Sequence, residues 1–217
     1  MTDIISASLA GLAQVAIGHP FDTMKVLVQN KKSIFNLKLR DYYRGAKYPL
    51  FSSILFNSIV FSVHERTLKY TESSFLSGVL GGIVVSPILF AFDTGKIKTQ
   101  TQVKLEYKDF MFGRGKKATL IREGLAMGIS FSVFERLKQD YNPLVAGALA
   151  GLTNWTTTYT IDVVKSRQIS QQITMIEAIN QGNLWRGYPI CAFRSLIVNA
   201  AIFYTYETTK LFLEKKN

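Results

Sequence analysis

The 217-residue sequence has little of what several classes of protein require. It contains one cysteine, Cys191, so no disulfide framework can form within the chain. Its two histidines, His19 and His64, form no cluster with cysteine or acidic residues at metal-ligand spacing, so we expect neither a metal nor another cofactor. Because no phosphate-binding glycine loop or catalytic serine–lysine arrangement occurs either, the sequence predicts a protein that is not an enzyme.

Long apolar runs are also missing. No 18 consecutive residues are all apolar, although 47% of the residues are hydrophobic, so a simple hydropathy reading predicts no clean membrane span. Such a chain is either soluble or has spanning helices whose charges face a polar interior, where charges usually serve function. The net charge of +11 suits nucleic acid, anionic lipid or an anionic cargo. The first seven residues lack the features of a signal or transit peptide, so we expect any organelle address in the body of the chain.

Three tandem repeats organise the sequence. An aspartate with a lysine three residues later recurs at separations of 71 and 69 residues: Asp22/Lys25, Asp93/Lys96 and Asp162/Lys165. A glycine precedes each aspartate by 11 residues, with another small residue four positions earlier: Ala7/Gly11, Gly78/Gly82 and Gly147/Gly151. An Arg-Gly pair follows, with a glutamate 20 residues after its glycine: Arg44-Gly45/Glu65, Arg114-Gly115/Glu135 and Arg186-Gly187/Glu207. We predict one domain, 1–217, with repeats at 1–70, 71–140 and 141–217.

Each repeat reads as a long helix, a short basic linker and a second long helix. The predicted first helices span 4–30, 74–100 and 143–168, the second helices span 47–69, 116–138 and 188–213, and the clearest linker helix spans 174–180. A helix of about 25 residues exceeds ~30 Å and can cross a bilayer, and small-xxx-small spacing lets helices approach closely in lipid. We therefore predict an all-α membrane protein with six transmembrane helices, in three pseudo-threefold repeats around a central cavity, with short linker helices.

The Asp/Lys pairs predict a ring of ion pairs at one end of this bundle. The two residues of each pair lie on one helix face, and under threefold symmetry each aspartate can meet the lysine of a neighbouring repeat. Such a ring closes a pore, yet its net energy must be modest enough to break. A glutamine four residues after the first two lysines, Gln29 and Gln100, could brace the ring. The third repeat has Ile169 at that position, with Gln168 one place earlier.

Pro-x-Asp-x-x-Lys followed by aromatic-Arg-Gly resembles the mitochondrial carrier family. Repeat one matches in full at residues 20–25, whereas Ala91 and Thr160 replace the proline in repeats two and three. The resemblance implies a matrix-side gate of three pairs: Asp22–Lys96, Asp93–Lys165 and Asp162–Lys25. It implies a second, cytosolic-side gate: Glu65, Lys69, Glu135, Lys138, Glu207 and Lys210. Lys69 stands four residues after Glu65, one position beyond the place that the motif requires. We therefore expect this gate to be weaker than the matrix-side gate.

The same resemblance implies that the Arg-Gly motifs hold cardiolipin phosphates: Arg44, Gly45, Arg114, Gly115, Arg186 and Gly187. A helix start favours anions, although a helix-start turn with a snorkelling arginine accounts for these motifs equally well. We expect a multi-pass monomer in the mitochondrial inner membrane, the host's if the source is a virus or a parasite. The intervals of 19 residues from Lys25 to Arg44 and 18 from Lys96 to Arg114 are shorter than is usual in the family, so the matrix helices should be stubs.

A cargo site belongs near the bilayer midplane, between repeats. Seven residues after the Arg-Gly glycines stand Ser52, Arg122 and Arg194, and Glu123 follows Arg122. The arginines can hold a carboxylate through forked hydrogen bonds and Glu123 can hold an ammonium group, which suits a zwitterion. An Arg-acid pair is similar to that of family members that carry amino acids, and the segment 194–203 resembles the carnitine and ornithine branch.

A nucleotide or deoxynucleotide is the alternative cargo. Two arginines and the net charge of +11 favour phosphates, and the equally placed Asn57 and Asn199 could reach a base, whereas Glu123 would repel phosphate. We predict alternating-access exchange of amino-acid-like or carnitine-like metabolites, with nucleotide exchange as the alternative. A nucleic-acid-binding protein would need a clustered basic face with aromatic residues, but the basic residues here gather at helix ends and linkers. A membrane scaffold without transport would not need interior charges.

Overall fold

A computed structural model describes residues 2–35 and 37–214, which form long and short α-helices in alternation. In chain order the helices are α1 (Thr2–Gln29), α2 (Leu39–Tyr42), α3 (Lys47–Thr71), α4 (Ser74–Gln100), α5 (Tyr107–Phe112), α6 (Lys116–Leu137), α7 (Pro143–Gln171), α8 (Met175–Asn180) and α9 (Tyr188–Glu214). The described ranges contain no strand, so the all-α prediction is confirmed. Each predicted helix boundary lies within a few residues of the observed one.

The helix α4 is the one described helix that is long and apolar enough, by length and composition, to cross a membrane. It carries no charged residue from Ser74 to Phe92, and its serines interrupt the apolar run without adding charge. The expectation that no segment would read as a clean span is therefore wrong for α4.

The first helices of the three repeats converge at their carboxyl ends. Each of α1, α4 and α7 contacts the other two, and the pairs α1–α9, α3–α4, α4–α6 and α6–α7 pack more extensively. A buried apolar cluster joins the converging ends: Val26, Phe90, Ile97 and Ile169. Ile169, the residue at the position of a bracing glutamine, therefore contributes apolar packing. This convergence places the aspartates and lysines of the three repeats close together.

The small-xxx-small pattern produces a close helix contact in repeat two. A Cβ atom at Gly78 would lie 2.5 Å from the carbonyl oxygen of Met127, and one at Gly82 would collide with that of Glu123, so α4 and α6 meet backbone to backbone. In repeat three the prediction is wrong for the described residues, because no described atom of a neighbouring helix lies within 4 Å of such a Cβ at Gly147 or Gly151. In repeat one, the surroundings of Ala7 and Gly11 are not described.

The linker helices are stubs, as their short intervals predict. Each begins with a capping box in which an acid at the third helical position accepts a hydrogen bond from the backbone N–H three residues earlier. The three bonds are Lys38 N to Asp41 at 3.1 Å, Glu106 N to Asp109 at 2.7 Å and Thr174 N to Glu177 at 2.7 Å. The stubs therefore hold their shape although they have at most six residues.

The stub α5 is also joined to α4 by a buried ion pair. Lys98 Nζ lies 2.6 Å from Asp109 Oδ2, with 4% and 6% of the two side chains exposed. Burial alone would raise the pKa of Asp109, but the hydrogen bonds from Lys98 and from the backbone N–H of Glu106 hold that pKa below its ordinary value. Asp109 is therefore a carboxylate at neutral pH, and it fixes α5 against the end of α4.

The glycines of the Arg-Gly motifs make the same contact in all three repeats. Their φ angles are 78° at Gly45, 108° at Gly115 and 90° at Gly187, in the left-handed region that favours glycine. Each lies against the backbone of the lysine in the next repeat, taken in cyclic order: Gly45 at Lys96, Gly115 at Lys165 and Gly187 at Lys25. A Cβ would lie 3.3 Å from the Lys96 carbonyl oxygen at Gly45, 2.8 Å from Ile169 at Gly115 and 3.0 Å from the Tyr159 hydroxyl at Gly187. Glycine therefore lets the linkers pack closely beneath the converging helices.

Candidate functional site

Three ion pairs link the converging ends of α1, α4 and α7 into a ring. The distances are 2.9 Å from Lys96 Nζ to Asp22 Oδ2, 2.8 Å from Lys165 Nζ to Asp93 Oδ2 and 2.7 Å from Lys25 Nζ to Asp162 Oδ2. The structure thus pairs the six residues as the family resemblance implied. Each bond joins two different repeats, so the three pairs together close the bundle at this end.

The ring continues into the residues predicted to bind cargo. Lys165 Nζ lies 3.4 Å from Glu123 Oε1 as well as 3.8 Å from Asp162 Oδ1. Arg122 Nη1 donates to both carboxylate oxygens of Glu123 at 2.8 Å. On the other side of the ring, Arg194 Nε lies 2.6 Å from Asp22 Oδ1. Both arginines are therefore paired with acids, and a cargo carboxylate would have to compete for them.

Of the two predicted glutamine braces, one reaches a ring charge. Gln29 Nε2 donates to Asp162 Oδ2 at 3.0 Å. Gln100 Nε2 donates to Thr23 Oγ1 at 3.0 Å instead, so its predicted contact with the ring charges is wrong. Thr23 follows Asp22 in α1 and in turn donates to the Tyr42 carbonyl at 2.7 Å. Gln100 therefore braces the α1–α4 contact beneath the ring through neutral partners.

Trp155 lies between the ring and the predicted cargo residues, and the sequence reasoning missed it. Lys25 Nζ is 4.2 Å from the centroid of its indole, and the guanidinium carbon of Arg122 is 4.9 Å from it. Cations over an aromatic face are attracted by its quadrupole. The available signal was spacing, because Trp155 precedes Asp162 by seven residues and so lies on the same face of α7.

The other predicted cargo residues are less defined. Ser52 is partly buried, and its hydroxyl donates to the Pro49 carbonyl at 3.5 Å. Among the described contacts it makes no hydrogen bond to either arginine. The side chains of Asn57 and Asn199 lie outside the described residues. The geometry therefore supports a cargo site around Arg122, Glu123 and Arg194, with Ser52 assigned by symmetry alone.

The described residues of the predicted second ring form no ion pair between repeats. Lys138 Nζ lies 2.7 Å from Glu135 Oε2 at the carboxyl end of α6, because an i,i+3 spacing brings the two side chains together on one face. Glu65 and Lys69 are exposed and make no ion pair among the described residues. The side chains of Glu207 and Lys210 lie outside them. The bundle is thus closed by ion pairs at the first ring and is without described inter-repeat pairs at the other end.

At the Arg-Gly motifs, the backbone serves packing while the side chains reach outward. The carbonyl of Arg44 accepts from His19 Nε2 at 2.9 Å, and that of Arg186 accepts from the Tyr159 hydroxyl at 3.0 Å. Arg114 and Arg186 are exposed, whereas Arg44 pairs with Asp41 at 2.9 Å. Both sequence interpretations, the helix-start turn and the anion site, are compatible with this arrangement.

Arg167 is a second residue that the sequence reasoning missed. It is fully buried and donates to the carbonyls of Gln29 at 3.1 Å, Ala178 at 2.9 Å and Gly182 at 2.8 Å, which joins α7 to the end of α1 and to the stub α8. A signal existed in the sequence, since Lys98 stands at the same offset, two residues after the ring lysine.

The three repeats form a helical bundle that is closed at one end by ion pairs between repeats, with further charged residues next to those pairs. This arrangement is typical of a membrane solute carrier. Comparison with known proteins agrees with that class. The family model for mitochondrial carrier protein matches residues 139–217. Solute carrier family 25 member 45 of Mus musculus is 25% identical, covering 94% of this chain and 96% of the relative.

Other relatives are similar over the same share of the chain. The mitochondrial arginine transporter BAC2 of Arabidopsis thaliana is 27% identical over 94% of this chain and 89% of its own. The mitochondrial glycine transporter YMC1 of Saccharomyces cerevisiae is 26% identical, with coverages of 94% and 89%. Residues 139–217 therefore match the mitochondrial carrier model, and the relatives resemble nearly the whole chain. Proteins of that family are transporters, not enzymes, and they are mitochondrial membrane proteins, so the comparisons support a solute carrier.

Proposed function

We propose that this protein is a six-span exchanger of the mitochondrial inner membrane that carries small amino-acid-like or carnitine-like metabolites by alternating access. One observation carries the proposal. The residues suited to a zwitterion, Arg122, Glu123 and Arg194, are joined by ion pairs to the ring that closes the bundle. A cargo that binds them must therefore disturb the ring.

The exchange step follows from competition within these ion pairs. A cargo carboxylate that takes Arg194 withdraws one of the two cations that hold Asp22. A cargo ammonium that takes Glu123 withdraws an acid from Lys165. Each substitution weakens the ring only when the cargo is present, which is the differential interaction that shifts a conformational equilibrium. The acids and bases of the second gate would then pair across repeats as the first ring opens.

The membrane arrangement is part of the same proposal. The six long helices have 22 to 29 residues, enough to cross ~30 Å of hydrocarbon. The charges on these helices lie near the helix ends, in the ring or at the cargo site. Because of these charges, α4 alone among the described helices has the composition of a simple membrane span. The exposed arginines of the Arg-Gly motifs, Arg114 and Arg186, suit cardiolipin phosphates at the membrane surface, and one bundle suffices for a monomeric carrier.

The relatives favour an amino-acid cargo. Their names include an arginine transporter, basic amino acids transporters and a glycine transporter. A nucleotide is the second candidate, because Arg122 keeps a buried Nε without a hydrogen-bond partner among the described residues and the net charge is +11. Glu123 opposes that candidate, since its carboxylate would repel a phosphate unless Arg122 stayed on it.

Uptake into proteoliposomes separates these functions. Vesicles would be preloaded either with amino acids and carnitine or with nucleotides and deoxynucleotides, and the wild type compared with Arg122→Ala, Glu123→Gln and the exposed control Glu72→Gln. Amino-acid or carnitine uptake that is lost in the first two variants and kept in the control supports the proposal. Uptake of nucleotides alone, with Glu123→Gln still active, supports the alternative. No uptake from either mixture by folded protein would favour a scaffold.

A further inference from the structure

We infer that the cargo is an amino-acid-like zwitterion with an uncharged side chain, and not a basic amino acid. The inference rests on the proposed function and concerns the net charge that the cargo site accepts. An amino-acid-like solute can be cationic, neutral or anionic, so a test of amino-acid transport in general leaves this property open.

The charges available to a cargo can be counted along the six long helices. The three aspartates of the ring are matched by its three lysines. Apart from the exposed lysines that begin α3 and α6, the helices carry three further charges between the ring and the acids Glu65, Glu135 and Glu207. These are the charges of Arg122, Glu123 and Arg194. Ring and site together therefore have an excess of one positive charge.

Glu123 is the single acid on this stretch that a cargo cation can use. Its side chain is 2% exposed, both its oxygens accept from Arg122, and Lys165 lies 3.4 Å from it. One cargo ammonium can compete for that carboxylate. A second cation, such as a basic side chain, would have to take an aspartate from the ring while facing the excess positive charge.

The aromatic surface next to the site gives a second cation no alternative. The indole of Trp155 already faces Lys25 at 4.2 Å and Arg122 at 4.9 Å. On α3, the symmetry-related position is Ser52, which is neutral. A buried cation without a partner is strongly disfavoured, so the site rejects a guanidinium or a second ammonium group.

The same count disfavours an extra acid on the cargo. One carboxylate satisfies Arg194, which is the cation in excess and shares Asp22 with Lys96. A second carboxylate would meet Glu123 or the aspartates of the ring. A neutral zwitterion is the cargo whose two charges each have one partner here.

The test is homologous exchange by the full chain in proteoliposomes, with serine, arginine and aspartate as probes at equal concentration and pH 7. We expect serine uptake at least about 100-fold faster than arginine or aspartate uptake, since a site that leaves a buried charge unpaired discriminates strongly. The variant Ser52→Asp would supply a second acid, and we expect it to raise arginine uptake at least about tenfold. Ser52→Asn, of equal size and neutral, is its matched control.

Each result bears on a different statement. Arginine or aspartate uptake by the wild type at a rate equal to that of serine overturns the inference while leaving amino-acid exchange intact. Absence of uptake of all three amino acids, with nucleotide uptake present, overturns the proposed function itself. If Ser52→Asp is unstable in detergent, the selectivity of the wild type still decides the inference.

Discussion

Reversing the charges of each ring pair should give transport that depends on which pair is reversed. The pairs differ in what else surrounds them. Asp162 has Lys165 3.8 Å away, Asp22 has Arg194 2.6 Å away, and Lys165 has two acids besides Asp93. A reversed pair keeps its own attraction but places each new charge beside a neighbour of the same sign.

Coulomb's law ranks these penalties. At an effective dielectric constant of 20, two like unit charges repel by about 4 kcal/mol at the 3.8 Å of Asp162 and Lys165 and about 6 kcal/mol at the 2.6 Å of Asp22 and Arg194. A carboxylate at position 165 would face Glu123 and Asp162 together, for about 9 kcal/mol. Side-chain movement reduces all three values, but the order should persist.

We therefore expect Lys25→Asp/Asp162→Lys to recover the largest share of transport relative to its single variants. The reversal of Asp22 and Lys96 should recover less, and that of Asp93 and Lys165 least. Uptake into proteoliposomes measures transport, and the Tm of the detergent-solubilised protein separates a folding defect from a gating defect. Equal recovery by all three reversals, with unchanged Tm, would refute the view that the ring and the cargo residues form one network.

Three further changes test the packing. Gly82→Ala should lower the free energy of unfolding by about 3 kcal/mol, because the added Cβ would collide with the Glu123 carbonyl. Gly151→Ala, its control, should leave Tm unchanged. Equal effects of the two substitutions would contradict the close contact of α4 and α6. Arg167→Met should cost about 3 kcal/mol, since the buried carbonyls of Gln29 and Ala178 lose a charged donor. A Tm equal to that of the wild type would count against its structural role. Lys138→Ala should change stability by less than ~1 kcal/mol, because its ion pair is exposed, and a large fall in Tm would show contacts beyond that pair.

The sequence predicted those features that follow from its repeat spacing. Helix boundaries, the stub helices and the partners in the ring all depend on where equivalent residues stand in three equivalent helices. Symmetry then requires each aspartate to meet the lysine of a neighbouring repeat, and the family resemblance implied which neighbour that is. Thr174 as the residue that begins α8 is a local signal of the same kind, because a threonine with a glutamate three residues later caps a helix start.

Features that break the symmetry could not be predicted in this way. Gln29 and Gln100 stand at equivalent positions, yet one bonds Asp162 and the other Thr23, because repeats one and three offer different neighbours. The glycines of α7 fit the small-residue pattern, but no described atom packs against them. Sequence spacing identifies the face of a helix, while the distance between two helices is set by every side chain along it.

The second gate shows a further limit of sequence reasoning. An acid and a base three residues apart can pair within one helix, as Glu135 and Lys138 do, or between repeats, as the ring residues do. The spacing is the same in both cases, and the conformation decides between them. In the conformation described here the first ring is closed, so the second set of charges has no reason to converge.

The proposed cargo residues lie next to the closed ring and not halfway along the bundle, so cargo binding and ring opening would involve the same charges. Glu123 and Arg194 each share a partner with a ring pair, so an empty site reinforces the closed ring with two additional attractions. A carrier that opened without cargo would have to break these attractions as well as the three pairs. A zwitterion that replaces both contacts removes that additional barrier with its own two charges. On this argument, a carboxylate or an amine supplied alone should open the ring less readily than one molecule that carries both, and such partial cargo should be a poor substrate for exchange.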